Sequence, residues 1–90
     1  MNELQKLAKK KIQNPSLVLD IDEKDEGAFI LIYNRLRMSM SQKDLADLSG
    51  ISQSTISKIE NGVIMPTAFT LSMLAKTMGK KLSIEFQDVQ

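Results

Sequence analysis

The chain has 90 residues, 42% of them hydrophobic, with no cysteine, no histidine and a formal net charge of +1. That length fits one small domain, which buries only about 60% of its unfolded surface, so a second chain is expected to supply further burial. Disulfide frameworks, thiol catalysis, the usual zinc ligands and imidazole acid–base chemistry are excluded together, and no cofactor is expected.

No apolar run approaches the roughly 20 residues of a bilayer span, and Asn2, Glu3 and Lys6 stand where a signal peptide would be apolar. A cytoplasmic protein without membrane contact is expected. Leu4, Leu7, Ala8 and Ile12 recur at helical spacing, so residues 2–13 are read as a short amphipathic helix that ends at Asn14-Pro15. Residues 16–21 fit either an extended segment or a linker. The acidic residues Asp20, Asp22, Glu23, Asp25 and Glu26 then suit the positive end of a helix running to about Met38, through Gly27. That helix carries two apolar stripes, one of Ala28, Leu31 and Met38 and one of Phe29, Ile32, Tyr33 and Leu36, so it should be covered on two sides. The second stripe is assigned to a partner or dimer interface.

Ser41 can cap a helix from Gln42 to about Leu48, Gly50 permits a tight turn, and Ser52 can cap another helix that ends at Asn61-Gly62. After Pro66, Thr67 can cap a last helix with Ala68, Leu71, Leu74, Ala75 and Met78 on one face and Gly79 as its stop. Leu82, Ile84 and Phe86 then alternate with polar residues, the period of a strand.

The stretch from Ser41 to Gly62 carries the functional signal. Two short helices must meet steeply, with Ala46 giving close approach and Leu45, Ile51, Ile56 and Ile59 forming the apolar wedge between them. Burying that wedge leaves Gln53, Ser54, Ser57, Lys58 and Asn61 on the outer face of the second helix. Amides on such a face can bond adenine bidentately in a DNA major groove, hydroxyls can bond several base edges, and a lysine adds phosphate attraction. A polar outer face alone is what any amphipathic helix has. The combination is far more specific: glutamine opening one helix, Leu45-Ala46, Gly50 at the turn, Ile56 in the next helix and Glu60-Asn61-Gly62 at its end.

With these residues the chain resembles the Xre/Cro helix-turn-helix family over about Ile30 to Gly79. The resemblance implies five or so helices in a mainly α, lambda-repressor-like bundle, to which the alternating tail adds a short C-terminal β-strand, and a homodimer bound to a palindromic operator. By position it implies that Gln42 contacts a phosphate and braces Gln53, and that Gln53 reads an adenine. Ser54, Thr55 and Ser57 would touch base edges or backbone, Asn61 would hold a phosphate, and Ser52 belongs to the same DNA-binding set. Arg35 stands where the family often has a basic residue, for DNA or for a salt bridge. Ser39 replaces a common glycine, and Asn34 a small or apolar residue. Phe69 and Met73 occupy positions that the family usually fills with charge, and are assigned either to local packing or to a protein interface.

The division expected is 1–24 as an N-terminal helix and linker with a partner-binding role, 25–79 as the DNA-binding domain, and 80–90 as a strand that dimerises. The ending Gly79 to Phe86 resembles antitoxins of the HigA and HipB type, whose partner is a small RNA-cleaving toxin of the HigB/RelE type. A lone strand at Leu82, Ile84 and Phe86 would need an edge from a second copy, a toxin or residues 17–21. The acidic run from Asp20 to Glu26 could meet a basic toxin surface or simply begin a helix. The expected function is a DNA-binding repressor that also serves as an antitoxin. A stand-alone phage-type repressor or restriction-modification controller is the alternative, and enzymatic activity is not expected, since the carboxylates are scattered.

Overall fold

The computed structural model describes residues 2–89, and these form α1 (Glu3–Gln13), α2 (Glu23–Arg37), α3 (Gln42–Ser49), α4 (Gln53–Glu60) and α5 (Ala68–Thr77). Each boundary has a local cause. Ser41, Ser52 and Thr67 cap α3, α4 and α5 by accepting from the backbone N–H three residues on, as their positions predict. Asn2 does the same for α1, in a reciprocal box with Gln5, and Ser41 forms a similar box with Asp44. At Asp44 the bonds from Ser41 hold the carboxyl below its ordinary value. Gly50 adopts φ 78° at the end of α3, the left-handed backbone that lets α4 start at a steep angle.

The core is one cluster: Ala28 and Leu31 of α2, Leu45 of α3, Ile56 and Ile59 of α4, and Leu74 and Met78 at the end of α5. Ala46 and Ile51 pack beside it, so the wedge expected between the motif helices is present. Full burial of each Leu or Ile contributes about 1.5–3 kcal/mol. Gly27 allows the bend before α5 to close on α2, since a Cβ there would lie 3.1 Å from Cγ of Pro66.

The second side of α2 is covered from within the chain. α1 lies along α2, and Ala8 and Ile32 are both fully buried. Ile32, expected at a partner interface, is therefore interior. Its neighbours on that stripe, Phe29, Tyr33 and Leu36, are half-buried, with the Phe29 and Tyr33 rings stacked at 5.9 Å and the Arg37 guanidinium 5.3 Å from the Tyr33 centroid. Met38 leaves the first stripe because the helix stops at Arg37, and it stands largely exposed.

The C-terminal strand is a correction to the sequence reading. Among the described residues there is no strand: Leu82 to Phe86 keeps its alternating pattern without a ladder, and residues 17–21 do not pair with it. Alternation specifies only which side chains share a face, whereas a strand also needs an edge with which to exchange hydrogen bonds. Residues 17–21 instead form a connector whose Leu17, Leu19 and Ile21 are half-buried while Val18 and Asp20 are exposed. It is anchored by the Lys11 ammonium, which donates to the carbonyls of Pro15 and Leu17.

Candidate nucleic-acid interface

The arrangement of α3, α4 and their neighbours is set by one buried carboxylate. Glu60, at the last position of α4, is fully buried, and Arg35 of α2 is 6% exposed. The guanidinium donates twice to it, Nε to Oε2 at 2.7 Å and Nη2 to Oε1 at 2.8 Å, and also donates to the carbonyl of Met40 at 2.8 Å. Such a bidentate pair is stable in the interior because both charges are neutralised and hydrogen-bonded. The basic residue at position 35 is thus a structural partner of α4. It pins α2, the 38–41 turn and the end of α4 together.

Glu60 Oε1 also accepts from the side-chain amide of Gln42, at 3.1 Å. Gln42 is the first residue of α3 and remains half-exposed. Its amide carries two hydrogens, so holding one on Glu60 leaves the other for an outside acceptor. The brace expected between Gln42 and Gln53 is not formed among the described residues; Glu60 takes that role.

On α4 itself the polar side chains divide into two groups. Ser52 and Thr55 engage each other, the Ser52 hydroxyl accepting from the Thr55 backbone and donating to its Oγ1. The Asn61 amide donates to the Ser57 carbonyl at 2.9 Å and to its hydroxyl at 3.2 Å. The backbone N–H groups of Asn61 and Gly62 are also bonded within the turn. Asn61 therefore has its amide and its main-chain donor occupied at the end of the helix. Gln53, Ser54 and Lys58 are exposed and make no side-chain hydrogen bond to the described residues. These three side chains are wholly unengaged on this face, and Gln42 keeps one outward hydrogen, whereas the Thr55 and Ser57 hydroxyls accept internally.

Elsewhere, exposed apolar groups are spread over the chain, among them Leu48, Val63 and Met65 before α5, Phe69 on it and Ile84 and Phe86 after it. Phe69 is 73% exposed and Met73 half-buried. Ile84 and Phe86 are exposed, whereas Leu82 is half-buried against a groove that Ile30, Leu71, Leu74 and Ala75 also line. No helix among the described residues is long and apolar enough to cross a membrane.

A capped α3, a left-handed glycine, a second helix crossing it over a Leu45–Ile56 wedge and a polar face turned outward define a helix-turn-helix. The Helix-turn-helix family model matches residues 31–84, and the chain belongs to that family, of the Xre type. A relative from Haemophilus influenzae (strain ATCC 51907 / DSM 11121 / KW20 / Rd), an "Uncharacterized HTH-type transcriptional regulator", is 44% identical over 54 residues. That match covers 60% of this chain and 55% of the relative, so the chain spans about half the length of the curated relative it matches. No solved structure matches the chain.

Sequence reasoning missed Glu60, Gln5 and Asn2 as members of the site. Glu60 was visible only as part of a terminal motif, because its partners come from positions 5, 35 and 42, far apart in the chain. A lone glutamate at the end of a helix, where the dipole disfavours negative charge, was the available signal that it must be buried against a cation.

Proposed function

We propose that the protein is a sequence-specific DNA-binding regulator of transcription, with α4 entering the major groove. The observation that carries this is the division of polar groups on α4: Ser52, Thr55, Ser57, Glu60 and Asn61 are engaged internally, while Gln53, Ser54 and Lys58 are presented outward. Gln53, the first residue of the helix, suits bidentate contact with adenine, and Ser54 suits a neighbouring base edge. Lys58, one turn on, and the amide of Gln42 suit phosphates on either side of the groove. Asn61 acts as the terminal brace of α4.

The protein works as a homodimer on a palindromic operator, since two such helices spaced by one helical turn of DNA are needed for useful affinity. Exposed Phe69, Ile84 and Phe86 are among the apolar groups available for that contact, through side-chain packing without a strand ladder. The exposed acidic residues Asp20, Asp22, Glu23 and Glu26 support a second partner, a basic RNA-cleaving toxin that the protein neutralises. Without such a partner the protein is a stand-alone repressor or controller.

Selection of bound duplexes from random DNA tests the main reading. Enrichment of a palindrome with half-sites about one helical turn apart is expected; bound pools without sequence preference would refute it. Co-expression with the product of the adjacent gene tests the toxin reading: a stable complex with a small ribonuclease whose activity is suppressed is expected, and unsuppressed cleavage refutes it.

A further inference from the structure

The side chain of Asn2 serves two helices at once. Its Oδ1 accepts from the Gln5 backbone N–H at 2.8 Å, capping the start of α1. Its Nδ2 donates to the backbone carbonyl of Glu60 at 2.8 Å and to Oδ1 of Asn61 at 3.0 Å, at the opposite end of another helix. Carbonyls of a last helical turn lack partners inside the helix, and Asn2 supplies one from 58 residues away. Gln5 repeats the pattern one turn on. Its Oε1 accepts from the Asn2 backbone and its Nε2 donates to Glu60 Oε1 at 3.1 Å, on the oxygen that also holds Gln42.

We propose that α1, which lies outside the region matched to the family, is a clasp on the DNA-reading unit, with Asn2 and Gln5 as positioning residues for the end of α4 and for the Gln42 amide. The inference rests on the DNA-binding reading above. Three facts join to carry it. The contacts of Asn2 and Gln5 to α4 all fall on Glu60 and Asn61, the residues that orient Gln42 and close the helix. Ala8 is fully buried on α2, so α1 is seated firmly enough for its first turn to act as a fixed anchor. And among the described residues no buried polar side-chain atom lacks a partner, so withdrawing either amide leaves Glu60 with fewer donors in a site closed to water. Asn2 and Gln5 touch no DNA in this scheme; they act by fixing groups that do.

The test uses the full chain with Asn2→Ser and Gln5→Met combined. Serine keeps a strong cap on α1 but is too short to reach Glu60, and methionine keeps length and helix propensity without a donor. Operator affinity is titrated at a temperature where the melt shows the variant folded, and the Gln42 side-chain amide is followed by NMR. Loss of the three hydrogen bonds that Asn2 and Gln5 donate to Glu60 and Asn61 is expected to weaken operator binding by about tenfold and to shift the Gln42 amide signals, while affinity for random DNA changes little. A folded variant with wild-type operator affinity and an unmoved Gln42 amide would overturn the proposal. If the double variant melts below the assay temperature, Asn2→Ser alone is judged by the same two readouts. A wild-type protein that selects no operator refutes the DNA-binding reading, which separates that failure from this one.

Discussion

Arg35 and Glu60 show how a single buried charge pair sets a site. Removing one member strands the other in the interior, which costs about 3–5 kcal/mol, so Arg35→Leu should lower stability by that amount in denaturant melts. Replacing both by leucine is expected to recover most of the loss, because two apolar groups need no partners, yet the double variant should still bind the operator poorly since Gln42 has lost its anchor. Recovery of stability together with operator binding would show that the pair serves folding alone. Ser39 is a second residue-scale case. It stands at φ 54°, left-handed backbone in the turn where Met40 N–H bonds back to the Arg35 carbonyl. This explains why the resemblance leads one to expect glycine there. Ser39→Gly should stabilise the domain by about 0.5–1 kcal/mol, and a lower melting temperature would contradict that account.

At the scale of elements, the helices were legible because each carries its own local signals. Ser41, Ser52 and Thr67 before apolar periodicity, and Gly50 after it, specify starts and stops without reference to the rest of the chain. What was not legible depended on pairs distant in sequence: Asn2 and Gln5 on Glu60, Ile32 beneath α1, and Glu60 as the partner in the salt bridge that was one of two readings for Arg35. The strand expected at Leu82 to Phe86 failed for the complementary reason, since period-two alternation describes a face and leaves the hydrogen-bonded edge unspecified. The wedge can be tested directly: Leu45→Ala and Ile56→Ala, both at fully buried positions, should each cost about 2–5 kcal/mol in thermal or denaturant melts. Unchanged melts would mean that the helices do not pack on those side chains. The box at the start of α3 has a pH signature. Because Asp44 has a lowered folded pKa, its contribution is present above the unfolded value of 3.8 and is lost as pH falls through the folded value. An Asp44→Asn variant should therefore lose part of the acid dependence of stability; a melt profile with the same slope below pH 3.8 would contradict it.

For the whole molecule, the net charge of +1 is small for the DNA-binding regulator proposed above, so on that proposal affinity has to come from placement more than from the field of the chain. The structure places a few groups well: Gln53 and Ser54 outward at the start of α4, Lys58 one turn later, and Gln42 held from behind by Glu60. The most direct test of this claim is a titration of the selected operator and of random DNA with Gln53→Ala and Lys58→Ala at several salt concentrations. Gln53→Ala is expected to cost about 1–3 kcal/mol on the operator, to relax preference at one base pair per half-site and to leave random DNA nearly unaffected. Lys58→Ala should instead weaken both duplexes similarly and reduce the salt slope by about one unit. Equal losses on operator and random DNA for Gln53→Ala would contradict the assignment of α4 as the helix that reads sequence.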